Sequence, residues 1–197
     1  AAYLRVNAMG SGVADGRMME WARRQMEIPA DFMLRTPLEF SSAQAVWRAD
    51  GDYSLKGRLT VAKGPELSID MQRNLRSLTI KELSIDAGAL SARTTFELDR
   101  DKWGLAFSGT LNQRMLDQTF LTPPVRIGLL QGDFAVNAFN ESPFRLSARG
   151  TLAAKDLVLS PKREDAVIEQ IVVQGDGSGL NIRSSDLRWR RSHISLS

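Results

Sequence analysis

A chain of 197 residues with 43% hydrophobic content can bury one sizeable core, yet it contains no apolar run of about 18 residues, which excludes a membrane-spanning helix within it. The absence of cysteine excludes disulfides and thiolate metal sites. A net charge of +3 and a pI of 9.5 are mildly basic, but the arginines are scattered instead of being grouped with aromatics, so nucleic acid is not an expected partner.

The first residues, Ala1-Ala2-Tyr3-Leu4-Arg5-Val6, lack the parts of a signal peptide, and the chain stops inside the alternation Ser195-Leu196-Ser197. It reads as a piece of a longer protein. Residues 13–27 place Met18, Trp21, Ala22 and Met26 at helical spacing, closed by Pro29, and predict an amphipathic helix that packs this stripe on a sheet. Arg17, Arg23 and Arg24 beside the stripe leave a membrane surface as its other use. Residues 1–36 are therefore expected to be a helical lead-in to a repetitive β-sheet domain over 37–197.

From Pro37 the apolar period changes to two. Strands are predicted over 38–49, 53–62, 66–72, 75–86, 89–99 and 103–111. A short helix over 113–119 follows, then strands over 125–130, 132–139, 144–152, 156–160, 167–174, 179–184 and 186–196. Leu78 and Ile80 are out of phase with Leu83 and Ile85, which calls for a bulge between them. Three stretches share one pattern: Tyr53-Ser54-Leu55-Lys56-Gly57-Arg58-Leu59, Trp103 to Leu111 with Gly109, and Phe144 to Leu152 with Gly150. Each follows a polar turn, so a hairpin repeats at about 40 to 50 residues, and the inward glycine marks a bulge or bend.

One side of these strands is repeatedly apolar, and the other carries Lys56, Arg58, Arg93, Glu97, Arg145 and Arg149. A sheet with one apolar face must fold over, close or be covered. The expected fold is mainly β: a curved antiparallel sheet of repeated hairpins, as an open groove, half-pipe or sandwich. The candidate groove residues are Tyr53, Leu55, Leu59, Phe96, Leu105, Phe107, Phe134, Phe144 and Leu146.

Catalytic patterns are absent. The single histidine, His193, has Ser185, Ser192 and Asp186 nearby in sequence, but no nucleophile elbow accompanies them. The pairs Asp50/Asp52 and Asp99/Asp101 sit where hairpin turns favour Asp, so no metal is expected. Gly175-Asp176-Gly177-Ser178-Gly179 lacks the following Lys-Ser/Thr pair of a phosphate cradle and reads as a loop. No enzyme activity and no cofactor are expected.

Two segments resemble one family. The run Pro37-Leu38-Glu39-Phe40 through Trp47, Asp50-Gly51-Asp52 and Leu55-Lys56-Gly57-Arg58-Leu59, continued by Leu78 to Asp86, is similar to the repeats of bacterial AsmA-like envelope proteins, the group that includes YhdP- and TamB-type proteins. The tail Gly179-Leu180-Asn181-Ile182, Asp186-Leu187-Arg188-Trp189 and Ser192 to Ser197 is similar to that family's ending. The resemblance covers most of residues 37–197. It implies a periplasmic segment of a parent anchored in the inner membrane. It also implies a role in moving phospholipid toward the outer membrane and in outer-membrane biogenesis, with acyl chains held on the apolar face and other envelope proteins as further partners. The alternative is a structural β-domain of an envelope assembly factor that contacts proteins and holds no lipid.

Overall fold

The computed structural model describes residues 5–25, 30–48, 51–140, 145–158, 166–189 and 192–196. In chain order these form β1 (Arg5–Ala14), α1 (Gly16–Gln25), a 3-10 turn (Ala30–Phe32), β2 (Leu38–Arg48), β3 (Tyr53–Val61), β4 (Glu66–Arg73), β5 (Leu78–Asp86), β6 (Ser91–Leu98) and β7 (Lys102–Asn112). After them come α2 (Gln113–Thr119), β8 (Leu129–Phe139), β9 (Arg145–Leu157), β10 (Ala166–Asp176), β11 (Leu180–Trp189) and β12 (Ser192–Leu196).

Among the described residues the strands make one 12-stranded antiparallel sheet whose spatial order is the order of the chain, with β1 and β12 as its edges and no closing pair between them. A meander of this kind needs only turns, because antiparallel neighbours require no crossover. Asparagine and aspartate supply the turn chemistry: Asn74 Oδ1 accepts from the amides of Arg76 and Ser77, and Asp86 Oδ1 from that of Gly88.

The phase slip in β5 is a bulge. Ile80 pairs with Phe96 and Leu83 with Thr94, so two residues of β5 stand against one of β6. The glycines of the repeated stretches behave differently. Gly109 and Gly150 take φ of +107° and +90° with no register shift in β7–β8 or β8–β9, so they kink the strands without adding a residue. The helix expected over 113–119 is α2, capped by Asn112, whose side chain accepts from the Met115 amide at 3.0 Å.

Several expectations are corrected. Residues 5–14, inside the expected helical lead-in, form β1 and pair with β2. The helix starts only at Gly16, because Asp15 caps it: its carboxylate accepts from the Met18 amide at 2.9 Å. Met18 and Trp21, expected to pack on the sheet, are 57% and 63% exposed, and Met19 turns inward instead. Met26 and Pro29 lie outside the described residues. The strand expected over 125–130 is only a bridge between Arg126 and Val158, with β8 starting at Leu129 after Pro123 and Pro124, which have no amide to donate. Residues 156 and 157 belong to β9, with Asp156 at φ +51°. No break falls at Ser185, which pairs with Ile171 inside one continuous β11; the register shifts flank it, at Arg183 of β11 and Glu169 of β10.

Both helices sit at the same end of the sheet. α2 buries Met115, Leu116 and Thr119, and Met115 joins Ala14, Leu38, Leu59, Val61, Leu67 and Ile85 in one cluster. The chain leaving α2 then pairs with residues that precede β2: Phe120 bridges Leu34, and the Arg35 amide donates to the Thr119 carbonyl at 2.9 Å. That end is closed by packing. The opposite end carries the hairpin turns β2–β3, β4–β5 and β6–β7 and has no helix over it among the described residues.

Candidate functional site

Directly paired residues of an antiparallel sheet lie on the same face, so the register defines the rows of side chains. One row runs Leu55, Met71, Ile80, Phe96, Leu105, Val136 and Ala148. The next toward the helical end runs Ile69, Leu83, Thr94, Phe107 and Phe134. Beyond it lie Phe40, Leu59, Leu67, Ile85 and Ala92. On the hairpin side the row is Tyr53, Arg73, Leu78, Leu98, Trp103, Ala138 and Leu146. The rows continue through Leu152, Val173 and Ile182 toward the β12 edge.

Eight of the nine candidate residues therefore share a face, and Phe144 lies outside the described residues. Leu59, Phe107 and Phe134 are buried, Tyr53, Leu55, Phe96 and Leu146 are half-buried, and Leu105 is 38% exposed. On β6 and β7 exposure grows toward the hairpin end, where Leu98 and Trp103 also reach solvent, whereas Val136, Ala138 and Ala148 of the same rows on β8 and β9 are buried. No second sheet covers these side chains among the described residues. The sequence reading did not single out Ile69, Met71 and Arg73 of β4, although their alternation with Leu67 was available in the sequence.

The opposite face is polar and uses its charges internally. Lys56 pairs with Asp70 at 2.9 Å, Arg58 with Glu66 at 3.1 Å, Lys102 with Glu97 at 2.9 Å and Arg188 with Glu169 at 3.2 Å. Exposed pairs of this kind contribute little stability each, but they leave a face of balanced charge. The hydrogen bond from Lys56 to Asp70 raises the lysine's pKa.

The loop and turn residues considered for chemistry are occupied with structure. Asp176 Oδ1 accepts from the Ser178 amide and hydroxyl and from the Gly179 amide, which lowers its pKa and directs the loop amides at its own carboxylate. Asp52 pairs with Arg48 at 3.7 Å, and Asp99 accepts from the Arg100 amide. Asp50 lies outside the described residues. Asp186 accepts from the Ser195 hydroxyl, and His193 stands opposite Arg188 in the β11–β12 pair. What the apolar face itself can do is remove hydrocarbon from water.

No family model, curated protein or solved structure matches this chain. Among the described residues no helix is long and apolar enough to cross a membrane.

Proposed function

We propose that the chain is a periplasmic segment of an AsmA-like envelope protein and that it holds phospholipid acyl chains on its apolar sheet face, as part of a path between inner and outer membranes. The sheet works as a half-pipe, kinked at its inward glycines. The observation that carries this reading is the continuous set of apolar rows with partly exposed side chains and no covering layer among the described residues. From Tyr53 to Val61 a strand advances eight residues at about 3.3 Å each. The hydrocarbon of one bilayer leaflet is about 15 Å thick, half of the full core, so an acyl chain fits within the rows. Burial of each methylene contributes about 0.8 kcal/mol, so binding needs no polar contact along the chain. Neither a catalytic step nor a cofactor belongs to this function.

The test is extraction of lipid from the chain purified without detergent, with Leu105→Glu as control. The reading expects phospholipid in the extract, lost in a variant that keeps its strand content. A wild-type protein that carries no lipid and takes none from vesicles would move the assignment to the structural β-domain, with the same face docking a protein.

A further inference from the structure

We propose that Arg73 receives the oxyanion of a phospholipid headgroup, at the hairpin end of the apolar face. The inference rests on the lipid-holding reading above and adds where the polar end of the ligand sits.

Among the described residues Arg73 is the only charged one that strand pairing places in the apolar rows. Its direct partners are Tyr53 and Leu78, and the same row continues to Leu98 and Trp103. The polar-face cations Lys56, Arg58, Lys102 and Arg188 each have a carboxylate within salt-bridge distance. Among the described residues Arg73 has none. Its guanidinium instead lies over the Tyr53 ring, 5.9 Å from the centroid. An arginine at a sheet rim that served only solubility would extend into water or pair with an acid. This one is exposed at the rim and turns its guanidinium over its row neighbour Tyr53, which leaves the fork of donors at the edge.

The surroundings have the make-up of a surface where hydrocarbon meets water. Trp103, 39% exposed, and Tyr53 are aromatics with a polar handle. Leu75, at the tip of the same β4–β5 turn, is 84% exposed and is followed by the exposed Arg76. A ligand fitted to this rim has an apolar body that lies toward Leu105 and Phe107 and an oxyanion that meets a planar guanidinium. A phosphodiester meets the fork with two oxygens, as does a carboxylate. The Arg76 charge nearby favours the more strongly anionic headgroup region of a phospholipid.

The experiment measures binding to the 197-residue chain of four probes: dioleoylphosphatidylglycerol, dioleoylglycerol, oleate and inorganic phosphate. The wild type is expected to hold the phospholipid about tenfold more tightly than the diacylglycerol, the scale of one charge-assisted hydrogen bond. Arg73→Gln should bring the two within about twofold of each other while the diacylglycerol affinity stays unchanged, and Arg73→Lys should keep part of the preference. Circular dichroism confirms that both variants keep the sheet. A preference that survives Arg73→Gln, or its absence in the wild type, overturns the proposal. Oleate preferred over phospholipid overturns it in favour of a carboxylate site, and inorganic phosphate bound as tightly as phospholipid overturns it in favour of a free-anion site. Failure of the diacylglycerol to bind at all overturns the lipid-holding reading itself, and with it this one.

Discussion

Phe107 and Phe134 stand directly opposite each other across β7 and β8 and are 7% and 6% exposed, while Leu105, on the same side of β7, is 38% exposed. Along β7 the apolar side is thus deep toward the helical end and open toward the hairpins, and substitutions there should report that gradient. Phe107→Ala should cost about 3 kcal/mol, as for a buried aromatic, and Leu105→Ala about 1 kcal/mol, because much of the leucine is already hydrated. Urea unfolding monitored by circular dichroism checks both; equal losses would contradict the gradient. With glutamate the contrast sharpens. At 105 the carboxylate can reach water and the sheet survives, whereas at 107 it is trapped against Phe134 and the chain unfolds.

The kinking glycines make a second contrast. A Cβ on Gly109 would sit on the Ser91 carbonyl and one on Gly150 on the Asp133 carbonyl, both far inside van der Waals contact and both at positive φ. Alanine at either position should cost on the order of 2 kcal/mol or more, since strain and clash add. At Gly10 nothing lies within 4 Å of the added carbon, and alanine should be close to neutral. Thermal unfolding of the three variants gives the comparison.

The closure of the helical end depends on α2. Asn112→Ala removes the cap on the Met115 amide and should lower stability by about 1 kcal/mol. Hydrogen exchange should show the loss first at the amides of Arg35 and Leu121, which donate to the carbonyls of Thr119 and Met33. Uniform acceleration across the sheet would contradict a local role for this connection.

In α1, Glu20 accepts hydrogen bonds from Arg23 first and Arg24 second, and these hold its pKa down from 4.5 to about 2. A depressed carboxylate stabilises fully above its unfolded value and loses that contribution as pH falls through the folded one. The α1 helix should therefore hold at pH 5 and weaken between 4.5 and about 2. A carboxyl titration by NMR with a midpoint near 4.5 would contradict the clamp, and Glu20→Gln should remove this pH dependence.

Much of this molecule was legible in the sequence because a strand with one buried face writes its period into the residues. The phase change from Ile80 to Leu83 located a bulge, and the short helix expected over 113–119 is α2. What remained hidden depends on tethers and partners. β1 is built from small residues such as Gly10, Gly12 and Ala14, whose weak alternation becomes a strand only because β2 pairs with it. The stripe of Met18 and Trp21 was expected in a helix over 13–27 packed on the sheet, yet Val13 and Ala14 belong to β1, the helix starts at Gly16 behind the Asp15 cap, and both side chains are exposed. Arg73 lies one residue beyond the strand expected over 66–72. Its place in an apolar row emerges only from its register with Tyr53 and Leu78.

The most direct test of an acyl-holding face uses its two-residue period. A photo-crosslinking amino acid is placed in turn at each position from Trp103 to Ser108 of β7, in the presence of phospholipid vesicles. Trp103, Leu105 and Phe107 face the apolar rows, while Gly104, Ala106 and Ser108 pair with Asn137, Ala135 and Asp133 on the polar side. The account predicts lipid adducts at 103, 105 and 107 and none at 104, 106 and 108, strongest at 105 where the side chain is open. Adducts at all six positions, or at none, would contradict it.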